Sequence, residues 1–420
     1  MNSTHNISKV YHGKWRIPKH NQSGEVEYKE CMGTLTYDGE NIRLVVYPEF
    51  SIAPCECEYI KVLYGQNNSG LSFTLFGLNL QNINFGVSAS FIVGGVIVGR
   101  EVESLSTPVY NECVVRYPYL MNWVNRHFYT STTRDGKAYF ETQIDNLQPL
   151  CEFELEDGVT ISLCPNPNCH WEGFQFNYTE DVILKIKSKS PKSIDDFQKI
   201  ITKFSVFLSV ALYGKQSPYS VKYGVYEDGE MVYDDSLFEI AKSKEPSRNA
   251  LIKFDQFKDR LGELVIKWFE DYEQIAPISS YLISSLEKSV FDTPKFLIVA
   301  QAVDGYAERF AGVLNKPERT SYSDNITLLL ERLKGVDAIQ KCNIDASVMA
   351  QTRNKYSHLL PDNTNKHKKA VSGRDLYLLT KKTMVLLTCC ILDYMGMTAN
   401  DINACIKGSI VERMILINIR

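Results

Sequence analysis

The hydrophobic period of the chain changes near residue 245, and this change limits what each part can fold into. In the first 240 residues, apolar and polar side chains alternate in short segments that are broken by Asp-Gly pairs at residues 38, 135, 157 and 228. Such alternation is typical of half-buried strands, and Asp-Gly is favoured in tight hairpin turns. Beyond residue 245, apolar residues recur every three or four positions, as in amphipathic helices. The sequence therefore predicts a β-rich part followed by an all-α part.

Two local patterns refine the β-rich part. Alternating apolar residues on both sides of Asp157-Gly158 predict a two-residue hairpin turn there. Residues 193–212 keep helical spacing and predict one helix within this part. Several hairpins at such spacing favour an antiparallel sandwich or a barrel-like domain, so the expected fold class is α+β.

The helical part is expected to contain several helices with recognisable ends. The apolar stripe from Phe254 to Tyr272 predicts a helix that stops before Pro277, and Ser323-Asp324 can cap a later helix. A helix over 346–360 should end at Pro361, and the last long one at Gly396. We expect a β-rich domain over 1–245, a helical connector over 246–290 and a helical domain over 291–420.

Charge and hydropathy narrow the function classes and the compartment. The chain has 46 Lys and Arg against 50 Asp and Glu, a net charge of −4, which excludes a protein that binds nucleic acid with its whole surface but not one with a local basic site. The longest apolar run, residues 91–98, is far shorter than a membrane-spanning helix, and the polar N-terminus lacks a secretory signal. We expect a cytoplasmic protein without a membrane partner.

One short segment of the helical part combines side chains that suit phosphodiester chemistry. Arg353, Asn354 and His358 lie near the end of a predicted helix, with Asn354 and His358 on one face. A guanidinium can bind a phosphate in a fork, and an imidazole exchanges a proton near neutral pH. Cleavage of RNA needs both tasks, with an acid and a base on opposite sides of the phosphate, which two copies at a twofold axis would supply. The alternative is a solvated helix end with a surface histidine.

A basic segment follows this helix. Between residues 366 and 382 there are six basic side chains and one acidic side chain, Asp375. We expect Lys366, Lys368 and Lys369 to attract an RNA backbone. A flexible, solvated loop would give the same signal.

Cysteines form a second group of candidates. Cys55 and Cys57 are separated by one residue, and Cys164 and Cys169 by a Pro-Asn-Pro-Asn turn. Four thiolates could hold a structural Zn²⁺ tetrahedrally, which would staple loops rather than catalyse a reaction. Ordinary reduced thiols are the alternative, since a cytoplasmic chain with eleven cysteines is not expected to form a disulfide framework.

Two sets of motifs carry a resemblance to known families. The sequence 353–358 (RNKYSH), late in a helix, resembles the Arg-x4–6-His signature of HEPN ribonucleases. The whole chain is similar to the ApeA-like anti-phage proteins, which join a β-rich N-terminal domain to a C-terminal HEPN domain. This similarity rests on residues 13–18 (GKWRIP) and 32–37 (MGTLTY) in the first part, and on 301–304 (QAVD) and 353–358 in the second.

The resemblance implies a function and a set of site residues. Arg353 and His358 would be the catalytic pair of a metal-independent endoribonuclease, and Asn354 an assisting polar residue. The implied activity leaves a 2′,3′-cyclic phosphate and causes abortive infection by cutting tRNA or another host RNA. The active site would be assembled by a homodimer or a higher homo-oligomer. Asp304 occupies a position where related proteins often carry an acidic residue, or it is a solvated helical aspartate.

A second hypothesis belongs to a different functional class. The helical domain could serve only to dimerise or to bind a nucleotide, with a ligand-binding β domain and no catalysis. If the nuclease hypothesis holds, no catalytic cofactor is needed, and the N-terminal domain is expected to restrain the nuclease until an activator such as a phage-derived component releases it. The position of Arg353 and His358 relative to a shared basic cleft separates the two hypotheses.

Overall fold

The computed structural model describes most of the chain, and its residues divide into two compact units. The described residues are 8–20, 26–48, 60–84, 86–142, 147–155, 157–245, 250–286, 292–312, 314–315, 318, 320–361 and 368–419. The first unit comprises residues 1–120, 127–201 and 217–242, and the second comprises residues 121–126, 202–216 and 243–420. The predicted domain limits at 245 and 290 stay a prediction.

A closed six-stranded barrel forms the first half of the β-rich unit. Its antiparallel order is β6-β3-β2-β1-β4-β5, and β5 pairs again with β6 to close the ring. Trp15, Leu44 and Phe91 fill its interior and are fully buried. Gly65 is required beside Trp15, because an added Cβ would lie 2.2 Å from the indole ring. The strands are β1 Lys9–His20, β2 Val26–Tyr37, β3 Ile42–Tyr47, β4 Val62–Asn67, β5 Ser72–Asn84 and β6 Ser88–Val98.

The long strand β6 also begins a second, open sheet. Its residues 89–92 pair with β3, whereas 95–98 pair with β16, from which the sheet continues in the order β16-β15-β7-β14-β11-β10. The first turns of helix α2 cover this sheet, since the rings of Phe197 and Tyr223 lie 6.1 Å apart. The elements are β7 Tyr110–Arg116, α1 Leu120–Val124, β10 Cys151–Glu154, β11 Val159–Pro165, β14 Val182–Lys192, α2 Ile194–Ala211, β15 Ser220–Glu227 and β16 Glu230–Phe238.

Two small hairpins complete the β-rich unit. They are β8 Tyr129–Arg134 with β9 Lys137–Thr142, and β12 Asn168–Glu172 with β13 Gln175–Thr179.

The predicted Asp-Gly turns fall between strands, and both residues of Asp135-Gly136 and of Asp228-Gly229 have the positive φ of a type I′ turn. The two-residue turn predicted at Asp157-Gly158 was wrong. Of these two residues only Gly158 has a positive φ, whereas a type I′ turn requires a positive φ at both. Since β10 ends at Glu154 and β11 begins at Val159, the connection is longer than two residues.

Helices make up the second unit, as the change of period predicted. This unit also includes residues 121–124 of α1 and 202–211 of α2, so the helix predicted within the β-rich part is divided between the two units. Their buried stripes include the fully buried Trp268, Phe296 and Leu387. None of the described helices combines the length and the hydropathy that crossing a bilayer requires. The helices are α3 Phe254–Phe257, α4 Leu261–Glu270, α5 Tyr272–Ser285, α6 Asp292–Arg309, α7 Tyr322–Arg332, α8 Asp337–Cys342, α9 Ala346–Ser357, α10 Gly373–Tyr394, α11 Ala399–Ile406 and α12 Ile410–Ile419.

Several predicted helix ends differ from the observed ones. The stripe from residue 254 to 272 is divided among three helices, and Pro277 lies inside α5 rather than beyond a helix end. Helix α5 tolerates the proline because Ile275, Ile278 and Leu282 bury its apolar face. The cap of α7 is Ser321, not Ser323, and Asp324 completes a capping box with it.

Candidate active site

The candidate catalytic residues lie at the C-terminal end of α9. The side chain of Asp345 caps the start of this helix by accepting hydrogen bonds from the N–H groups of Ser347 and Val348. The helix was predicted to reach residue 360, but it ends at Ser357, so His358 is its C-cap and not part of it.

A backbone turn rather than Pro361 ends α9. Leu359 has a φ of +50°, and the N–H groups of Leu359 and Leu360 donate to the carbonyls of Tyr356 and Lys355 at 3.4 and 2.9 Å. This is a Schellman motif with leucine at the left-handed position that glycine usually occupies. The turn places His358 at an exposed helix end, and its ring has no hydrogen-bond partner among the described residues.

Arg353 points to other helices of the unit. Its Nη2 lies 3.9 Å from Oδ2 of Asp304 on α6, and its guanidinium carbon lies 5.4 Å from the centre of the Tyr322 ring on α7. Nη1 also donates a hydrogen bond of 3.3 Å to Oδ1 of Asn354. A third of the Arg353 side chain remains exposed. The guanidinium is therefore oriented by three neighbours and keeps donors that can reach a ligand.

Asn325 holds the carboxylate that faces Arg353. This side chain is 1% exposed, and its Nδ2 donates to Oδ1 of Asp304 at 2.9 Å and to Oε1 of Glu308 at 3.2 Å. Its Oδ1 accepts a bond of 2.6 Å from the hydroxyl of Thr320. Asp304 is thus fixed by a hydrogen-bonded network, which argues against the alternative of a simply solvated aspartate.

Tyr322 is also held in place by a hydrogen bond. Its hydroxyl donates to the carbonyl of Ala300 at 3.2 Å. Burial raises the pKa of Tyr322, the charge of Asp304 raises it further, and the charge of Arg353 opposes both. Tyr322 therefore stays neutral and presents a fixed aromatic face to the guanidinium.

The sequence patterns do not identify Tyr322 and Asn325 as residues of the site. Spacing along the helices is the one signal that could have pointed to them. Tyr322 and Asn325 are three residues apart at the start of α7 and share a face, and Asp304 and Glu308 are four apart on α6 and also share a face. Which helix faces Arg353, however, is decided only by how α6, α7 and α9 pack.

The described start of the basic segment, from Lys368 onward, lies beside α9. The N–H of Lys369 donates to Oε1 of Gln351 at 3.0 Å, and Gln351 shares a helix face with Asn354. Lys368 and Lys369 are exposed, whereas Lys366 lies outside the described residues. The structure therefore brings the described part of this segment next to the helix that carries Arg353.

The predicted zinc ligands are not brought together by the described residues. Cys55 and Cys57 lie outside them, Cys164 is on β11 and Cys169 on β12, in separate sheets. Burial raises the pKa of Cys164, which favours its neutral thiol. No group of three or more His, Cys, Asp or Glu side chains suited to a metal occurs in the described part of the chain. The described cysteines give a structural zinc no support.

Comparisons with known proteins cover both units. The family model of the ApeA N-terminal domain 1 matches residues 10–268, which is more than half of the chain. A second model, of the Apea-like HEPN domain, matches residues 285–401 and so includes Asp304, Tyr322, Arg353 and His358. No curated protein and no solved structure matches the chain significantly.

Proposed function

The chain belongs to the ApeA family, with a HEPN domain in its helical unit, and from this premise we propose that it is an endoribonuclease whose catalytic pair is Arg353 and His358. HEPN domains are generally ribonucleases, and the family suggests a role in anti-phage defence. The observation that carries the proposal is the pairing, within the HEPN match, of an oriented guanidinium with an exposed imidazole on the same helix end.

The proposed reaction needs no metal. The 2′-oxygen of the substrate attacks the adjacent phosphorus while a base removes its proton, and the bond from phosphorus to the 5′-oxygen breaks as that oxygen receives a proton. The products are a 2′,3′-cyclic phosphate and a 5′-hydroxyl. Arg353 stabilises the charge that develops on the phosphate oxygens, and Asn354 helps to hold it in place.

One chain supplies one of the two proton-transfer groups. His358 is the only histidine among the described residues of the helical unit, yet the reaction needs a base and an acid on opposite sides of the phosphate. In our proposal a second copy contributes the other imidazole at a twofold axis. The proposal includes three further parts. The substrate is tRNA or another host RNA, the β-rich unit restrains the nuclease, and a phage-derived component activates it.

The proposal is tested with the purified full chain in the presence of EDTA. We expect cleavage of total cellular RNA to fragments that end in a 2′,3′-cyclic phosphate, and a loss of at least about 100-fold for both His358→Ala and Arg353→Ala. His127→Ala is the matched control, because His127 is exposed and pairs with Glu180 in the β-rich unit. Equal cleavage by the unmodified chain and His358→Ala would contradict the assignment.

A further inference from the structure

Helix α10 carries a stripe that is both basic and aromatic, exposed at Arg374 and Tyr377 and half-buried at Lys381. Arg374, Tyr377 and Lys381 follow one another at three and four residues, so they lie within an arc of about 60°. The opposite side is buried through Leu376, Leu379 and Thr383 and faces the core. We call the three residues Arg374, Tyr377 and Lys381 the α10 stripe.

The stripe begins beside the candidate active site. The N–H of Val371 donates to Oγ1 of Thr352 at 3.2 Å, and the carbonyl of Val371 accepts a bond of 3.1 Å from the Tyr356 hydroxyl. Both partners are on α9, and α10 starts two residues later. The N-terminal end of the stripe is therefore held against the part of α9 that leads to His358.

The charge of the α10 stripe and of the residues just before it favours binding of a polyanion. Described residues 368–382 contain five basic side chains and one acidic side chain, Asp375. Within the described part of the chain, no carboxylate forms an ion pair with Lys368, Lys369 or Arg374. The charge of these three side chains is therefore available to phosphates rather than to the fold itself.

Tyr377 adds a feature that phosphate binding alone does not need. The Lys381 ammonium lies 5.3 Å from the centre of its ring, and the side chain of Tyr377 remains 37% exposed. A tyrosine between two cations, with its ring fixed by one of them, is suited to stack a nucleobase whose flanking phosphates meet those cations. Arg374 and Lys381 are about 10 Å apart along the helix, which leaves room for such a unit.

We infer that the α10 stripe is a base-stacking subsite for an unpaired nucleotide next to the cleavage point. This inference rests on the proposed function for the identity of the polymer as RNA. Stacking requires an exposed base face, which a single strand or a loop offers and a duplex conceals. The stripe thereby favours unpaired segments of the substrate, while Lys368 and Lys369 attract the backbone of any RNA.

Binding and cleavage are measured separately to test the inference. A fluorescein-labelled, 2′-O-methyl oligonucleotide of mixed sequence cannot be cleaved through its 2′-oxygen, and its binding to the full chain is followed by anisotropy, alone and annealed to its complement. We expect Tyr377→Ala to weaken binding of the single strand about tenfold and to leave duplex binding within twofold. Tyr377→Phe, which keeps the ring, should bind like the unmodified chain.

Matched controls identify the stripe as the cause. Tyr281→Ala removes another exposed tyrosine of the helical unit, 42% exposed on α5, and should change nothing. Arg374→Ala should reduce the slope of log affinity against log salt by about one. Equal losses for single strand and duplex in Tyr377→Ala, or no loss, overturn the inference while leaving the cleavage test of His358→Ala untouched. Conversely, a chain that never cuts RNA but shows the Tyr377-dependent preference retains the subsite and loses the proposed activity.

Discussion

Each unit contains an arginine grouped with a carboxylate and a tyrosine, but the two groups are satisfied to very different degrees. In the β-rich unit, Arg100 donates from Nε to Asp234 at 2.6 Å and from Nη2 to Glu227 at 2.7 Å. The hydroxyl of Tyr110 donates to Asp234 at 3.0 Å. In the helical unit, the nearest carboxylate atom lies 3.9 Å from Arg353. Arg100 therefore forms two short, charge-assisted hydrogen bonds to carboxylates, whereas Arg353 forms none within the described residues and keeps donors that can reach a ligand.

Burial differs in the same way. The side chain of Asp234 is 3% exposed, whereas that of Asp304 is 26% exposed. Burial raises the pKa of Asp234, and the hydrogen bond and charge of Arg100 oppose this rise. A buried acid with short bonds stabilises the junction of β6 and β16, while a loose, half-exposed pair costs little to rearrange around a phosphate. The comparison separates a structural arginine from one that is available for chemistry.

The largest expected effect concerns the tightly paired group of Arg100. Arg100→Ala leaves the Asp234 carboxylate buried without a cation, so we expect the free energy of unfolding to fall by about 3 kcal/mol in urea titrations at pH 7. Because burial raises the folded-state pKa of Asp234, its charged form is the costly one, and the deficit should shrink as the pH falls towards 4. Arg43→Ala, at an exposed position of β3, is the control. Equal free energies of unfolding for Arg100→Ala and Arg43→Ala would show that Arg100 is not a structural arginine.

A smaller effect is expected at the loose pair, and on activity instead of stability. Asp304→Asn removes the charge that orients Arg353, and we expect kcat/KM for RNA cleavage to fall about tenfold, or about 1.4 kcal/mol of barrier. The free energy of unfolding should change by less than about 1 kcal/mol, as for other half-exposed pairs. Asp393→Asn, which breaks the pair with Arg332 at 2.7 Å, is the control for a salt bridge without a catalytic partner. Activity equal to that of the unmodified chain would show that Asp304 does not position Arg353.

The smallest effect concerns the cap that fixes Tyr322 beside Arg353. Hydrogen bonds from the backbone N–H and then the hydroxyl of Ser321 lower the pKa of Asp324. Its stabilisation of α7 is therefore present at neutral pH and lost as the pH falls through the folded-state pKa, which lies below 3.8. In Asp324→Asn we expect weaker amide-exchange protection of the first turn of α7 at pH 6, and a smaller difference from the unmodified chain near pH 3.

A matched variant checks this prediction. Asp337 is also in the first turn of a helix, but the N-cap of that helix, Val336, makes no side-chain cap hydrogen bond. Asp337→Asn should therefore leave amide protection of α8 nearly unchanged at both pH values. Similar losses in the two helices would show that the Ser321 capping box contributes nothing specific to the site.

Much of the fold follows from patterns that are local in the chain. Alternation and Asp-Gly turns predicted the strands, and the three-to-four spacing predicted the helices, because side-chain period reports which face is buried. Helix ends were predicted less well. Pro277 lies within α5 because burial of neighbouring apolar residues outweighs the lost hydrogen bond. Helix α9 ends at Ser357 through backbone hydrogen bonds that leucines form, without the glycine or proline that usually marks a helix end.

The sequence by itself determined the two-part organisation and the chemistry available at residues 353–358. Those properties depend on residue types and on spacing along one element. Only the tertiary structure decided that Arg353 faces Asp304 and Tyr322, that Asn325 fixes the carboxylate, and that β6 is shared by a barrel and an open sheet. These contacts join residues far apart in the chain, and they depend on how whole helices and strands pack, which no local pattern encodes.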